Sequence, residues 1–158
     1  MIHTQELTPL PSEHERERAS NSYLMSLVAV MAGLPIPIVN IIATFIFYFG
    51  NKKSSPFVRW HTIQALVSQL ALFPLNTLLF WWTLRILFKE EYVATDLYFA
   101  YLIFVLLLNL TEFIITIIAA IRVRKGYHVS WYIFGDITQL VYPHFNPQNT
   151  ATHERNEL

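Results

Sequence analysis

The sequence predicts an all-α integral membrane bundle, and three observations lead there. From Trp60 to Leu84 the chain runs for about two dozen residues without an Asp, Glu, Lys or Arg, which at roughly 1.5 Å per helical residue crosses a ~30 Å hydrocarbon layer. A second apolar run, Tyr98 to about Ile121, contains one acid, Glu112. Across 158 residues, 54% hydrophobic against 14% charged content is too apolar for a water-soluble domain of this size.

Composition excludes several classes of function. The 11 basic and 11 acidic side chains balance to a formal net charge of zero, so no nucleic acid partner is expected. Without cysteine there is no disulfide framework, thiolate metal site or thiol nucleophile. Neither GxSxG nor HExxH nor a phosphate-cradling glycine loop occurs, and within the spans Glu112 has no second acid beside it. No enzyme, no cofactor and no metal site are expected.

Residues 1–20, with Thr8-Pro9-Leu10-Pro11 and the mixed-charge run Glu13 to Arg18, hold too few large apolar groups to offset the entropy of ordering them. A flexible polar tail is expected, and no basic-then-apolar order marks a cleavable signal. The next segment, about 22–49, is uncharged but carries Leu34-Pro35-Ile36-Pro37 near its middle. Proline removes a backbone donor and clashes with the preceding turn, so the helix breaks there. Either one kinked span or a re-entrant hairpin satisfies that break, and the kinked span is favoured.

Gly50 closes this segment ahead of a basic loop with Lys52, Lys53 and Arg59. The second span is expected at about 60–84, bent at Pro74, and the third at about 98–121. Between them lies a loop holding Glu90, Glu91 and Asp96, and after them the basic stop Arg122-Val123-Arg124-Lys125-Gly126. Two spans separate the basic clusters, so both fall on the cytoplasmic side and the C-terminus is expected there too. The aromatic stretch 127–142 suits the headgroup layer, and 143–158 reads as a flexible tail.

On the second span His61, Gln64, Ser68, Gln69 and Asn76 recur at helical spacing on one face, which cannot look at lipid. On the third, Asn109, Glu112 and Thr116 share a face, and Glu112 lies at about the depth of Gln69. An intramembrane carboxyl is a functional candidate by default, as a proton relay, ion ligand or docking group. The plainer reading, favoured here, is interhelical glue bonded to Gln69 or Asn109. His61, His128 and Glu112 lack the i, i+4 spacing of helical zinc ligands, and His61 is expected to bond the helix start or a lipid headgroup.

The loop Lys52-Lys53-Ser54-Ser55-Pro56-Phe57-Val58, followed by His61 and Gln64-Ala65-Leu66, with Asn40-Ile41-Ile42-Ala43, Ile118-Ala119-Ala120-Ile121 and Lys125-Gly126, resembles a widespread family of small bacterial membrane proteins. That family is similar to the magnetosome membrane protein MamF and to the Tic-type import protein of the chloroplast inner envelope. The resemblance covers roughly residues 22–132 and implies a multi-pass protein of the bacterial inner (cytoplasmic) membrane, with a link to protein translocation and no catalytic residues. Combined with the polar faces, it leads to an expected role as a non-enzymatic accessory or assembly subunit. Its partners would be membrane lipid and other integral membrane protein subunits. The alternative is a small oligomeric channel or transporter with a hydrated path past His61, Gln64, Gln69 and Glu112.

Overall fold

The chain order in the computed structural model is β1 (Ile2–Glu6), α1 (Glu13–Gly33), α2 (Pro37–Gly50), α3 (Pro56–Phe88), α4 (Asp96–Arg124), β2 (Tyr127–Trp131) and α5 (Tyr132–Val141). It describes residues 2–33, 37–89, 93–143 and 145. Proline at the first position of α3, after the N-cap Ser55, is preset for helix and gives up only an amide that would have no helical partner. α4 begins where Thr95 Oγ1 accepts from Tyr98 N at 3.3 Å. It ends at Gly126, whose φ of 94° is left-handed and favours glycine. A Cβ there would also come within 2.8 Å of Leu10.

Among the described residues two helices, α3 and α4, are long and apolar enough to cross a membrane, rather than the three spans expected. The segment 22–49 instead divides between α1 and α2. Its break at Leu34-Pro35-Ile36 lies outside the described residues. The two helices form a hairpin: Arg18, early in α1, donates from Nε to Asn51 Oδ1 at 2.6 Å and from Nη2 to the Gly50 carbonyl at 3.0 Å, just at the end of α2. Both ends of the segment therefore meet at one end of the bundle. These bonds, rather than length, decide against a kinked span, since the 28 residues of 22–49 would reach about 42 Å as one helix.

The all-α expectation also needs correction, because β1 pairs antiparallel with β2, Ile2 opposite Trp131 and Glu6 opposite Tyr127. Residues 1–20 are thus not a free tail: they contribute this strand, the buried Leu7 and the buried Ala19 and Ser20 of α1. A two-stranded ribbon is marginal by itself. Here β2 is packed on α4 and α5, which supplies the buried face the ribbon lacks. The stretch 127–142 is accordingly a strand and a short helix laid on the bundle. At its far end Phe145 is buried among Phe57, Trp60 and His128, while residues 146–158 of the expected C-terminal tail lie outside the described residues.

Burial is uneven along the long hairpin. In α3 every buried side chain lies between Phe57 and Gln69, where α1, α2 and α5 also pack. Further along, its neighbour is α4, through Thr83 Oγ1 to Tyr98 Oη at 3.0 Å, Tyr101 Oη to the Leu75 carbonyl at 3.1 Å, and Trp82 against the rings of Tyr98 and Tyr101. Leu78, Trp81, Leu107 and Leu110 on these outer faces are exposed. α3 at roughly 50 Å is longer than the ~30 Å hydrocarbon layer, so its collared end and its bare end meet different surroundings.

Candidate functional site

The inward face of α3 carries the polar side chains that periodicity singles out, and each meets a partner across a helix boundary. His61 is fully buried. Its Nδ1 lies 2.8 Å from Tyr23 Oη of α1, and its ring is enclosed by Phe57, Trp60 and His128. It therefore bonds α1 rather than its own helix start or a lipid headgroup, the two partners expected, because α1 and β2 close over it. Its Nε2 has no hydrogen-bond partner among the described residues.

One turn deeper, Gln64 ties three elements together. Its Nε2 donates to Tyr23 Oη at 2.8 Å and to the Val129 carbonyl at 3.2 Å, and its Oε1 accepts from Trp131 N at 3.2 Å. A side-chain amide that matches a backbone donor and acceptor of β2 acts as an extra strand partner. Ser22 and Thr62 join α1 to α3 at the same level, 2.7 Å apart.

Deeper again, three donors of two helices converge on one carboxylate oxygen. Glu112 Oε1 accepts from Gln69 Nε2 at 2.6 Å, Thr116 Oγ1 at 3.1 Å and Ser68 Oγ at 3.2 Å. Glu112 Oε2 is buried without a partner among the described residues. Asn76 and Asn109 then exchange reciprocal amide bonds at 3.2 and 2.8 Å. The sequence-predicted set thus forms one polar seam along α3, in two clusters around His61–Gln64 and Ser68–Gln69–Glu112, with the Asn pair beyond.

Outside the spans, burial holds the His128 imidazole well below its ordinary range, at a pKa of about 4, so at neutral pH the ring on β2 is uncharged. The basic residues that flank the spans on one side lie at the collared end, whereas Arg85 and Lys89 lie at the far end of α3. Lys52 and Lys53 are exposed in the α2–α3 turn. The Arg59 guanidinium sits 4.5 Å over the Tyr142 ring. Arg122 donates to Thr4, and Arg124 pairs with Glu17 at 3.2 Å, while Lys125 is exposed at the α4–β2 turn. Among the described residues no group of three or more His, Asp or Glu side chains is placed to hold a metal ion.

Sequence reasoning missed the partners on α1 and β2. Ala19, Ser22, Tyr23 and Ser26 recur at i, i+3, i+4 and i+7, the small and polar stripe that lets helix backbones approach closely in a membrane protein. That pattern is present in the sequence, but the boundary drawn between the tail, 1–20, and the next segment, 22–49, separates Ala19 from Ser22, Tyr23 and Ser26.

No curated protein and no solved structure matches the chain. A family model does, over residues 17–135, a stretch that takes in α1 through β2 and therefore the whole polar seam. The chain belongs to the magnetosome magnetite crystal formation protein family, to which MamF gives part of its name.

Proposed function

We propose that this protein is a non-enzymatic accessory or assembly subunit of a membrane-embedded complex, with its basic end cytoplasmic. The observation that carries this reading is the division of labour between its surfaces. Most polar side chains inside the bundle bond one another, whereas the outer faces of α3 and α4 beyond the collar leave Leu78, Trp81, Leu107 and Leu110 exposed. Helices of other subunits and lipid both fit such faces. A bacterial inner membrane, or a compartment derived from it, is the setting that the family's description and the basic end support. Crystal formation in magnetosomes, named in that description, is the process we propose that it serves, with protein translocation, expected from the sequence resemblance, as the alternative.

The experiment is site-specific photocrosslinking in native membranes, with the reactive residue placed at Leu78 or Leu107. Discrete adducts of defined mass with an integral membrane protein are the expected result. Adducts with lipid alone, from both positions, would overturn the reading.

One observation favours a second reading, that of a small oligomeric proton or ion pathway: Glu112 Oε2 is buried and unpartnered among the described residues, as a relay group would be. In proteoliposomes a flux that Glu112→Gln removes, with helix content unchanged, would replace the first reading with this one.

A further inference from the structure

We infer that the α1/α2 hairpin holds one anionic phospholipid, its phosphate at Arg18 and an acyl chain in the slot between the two helices. A cavity of about 370 Å³ opens there, within the roughly 300–1,000 Å³ typical of small-molecule sites. Along α1 its lining runs Arg18, Asn21, Met25, and from the turn after α2 back along that helix it runs Asn51, Phe47, Ile46. Both walls therefore change from polar to apolar in the same direction, because the helices are antiparallel and Arg18 bonds Gly50 and Asn51. The gradient extends over about one and a half to two turns of each helix, roughly 10 Å. A headgroup with a hydrocarbon chain attached has that same profile, and an inorganic anion or a plain alkane has half of it.

Charge decides the headgroup. Arg18 uses Nε and one donor of Nη2 on uncharged oxygens of α2, and among the described residues no carboxylate pairs with it, Arg124–Glu17 being the ion pair present. Its positive charge is thus uncompensated and its remaining guanidinium donors suit phosphate oxygens. Lys52 and Lys53 follow Asn51 directly and are exposed, which adds to the preference for a net negative lipid. At the other end Met25 and Ile46 are exposed apolar side chains open to the lipid side, so a chain enters laterally without unfolding the hairpin.

The test is native mass spectrometry of the full-length protein released from micelles doped with equal phosphatidylglycerol and phosphatidylcholine of matched chains. A single retained phosphatidylglycerol is expected. Loss of one charge-assisted contact in Arg18→Gln should weaken retention about tenfold. Arg18 also fastens the hairpin, so Ala43→Phe, which fills the slot and leaves Arg18 in place, gives an independent variant, and it should abolish the adduct with helix content unchanged. Equal retention of the two lipids, or retention unaffected by Ala43→Phe, would overturn the inference. So would displacement by millimolar glycerol phosphate, which would make the site one for a free phosphate. None of these outcomes bears on whether photocrosslinks form at Leu78 or Leu107, so this inference and the proposed function fail separately.

Discussion

His128 and Gly135 show how single positions of the β2–α5 cap are constrained. The pKa of His128 falls to about 4 because burial penalises its charged form, below the ~6.5 of an unfolded chain. The unfolded state therefore binds the proton more tightly. The neutral ring's contribution is complete above pH 6.5 and is lost as pH falls from 6.5 to 4, by up to about 3 kcal/mol. Thermal melting in detergent across that range should show the loss, and His128→Phe should flatten the slope; an unchanged slope would mean that the ring titrates freely. At Gly135 a Cβ would meet Ser130 Oγ at 1.9 Å, an overlap that a new Ser130 rotamer or a backbone shift must relieve. Gly135→Ala should destabilise by about 1–3 kcal/mol. In a Ser130→Ala background the same change should cost less, since the Oγ overlap is gone and only the tight 3.2 Å contact with the Cβ of residue 130 is left, which a double-mutant cycle of melting curves would read.

At the scale of elements, α3 and α4 are joined through Glu112 over their collared part and through Asn76–Asn109 and the Thr83–Tyr98–Tyr101 contacts beyond it. Glu112→Gln keeps an acceptor for Ser68, Gln69 and Thr116 and should change stability little. Glu112→Ala leaves those donors facing a cavity and should cost about 1–3 kcal/mol, read as the denaturant or heat needed to separate the helices. If both variants behave alike, Glu112 is not the glue between these helices. The bonds of Asn76 with Asn109 are worth less, about 0.6–2 kcal/mol, since helices in a membrane find other partners when separated.

Over the whole molecule, the strand pairing and the hairpin bring the starts of α1 and α3, the ends of α2 and α4, and both strands to one end. The proposed topology rests on that gathering and on the basic residues at that end. Because the chain has no cysteine, single substitutions report cleanly. Gln5→Cys, Lys52→Cys and Lys125→Cys should all label from the cytoplasmic face, and Val93→Cys from the opposite face. Labelling of Gln5 and Lys52 from opposite sides would show that 22–49 crosses the bilayer after all. The asymmetry of the bundle, collared at one end and bare at the other, is what leaves α3 and α4 with surface for subunits and lipid.

Local rules were enough to read the two long apolar helices, the glycine stop after Lys125, the break near Pro35 and the polar face of α3, since each depends on hydrophobicity or on helical spacing within one segment. Depth along two antiparallel helices even brings Gln69 level with Glu112 from the sequence alone. What only the tertiary structure decided is which way the broken segment turns, where residues 2–6 go, and what His61 and Gln64 bond. Those outcomes rest on contacts between residues dozens of positions apart, Arg18 with Gly50 and Asn51, Ile2 with Trp131, Gln64 with Val129. No local propensity encodes such a pairing. A strand as polar as His3-Thr4-Gln5-Glu6 forms only because a partner already fixed on the bundle offers its edge, and that partner is set by the fold.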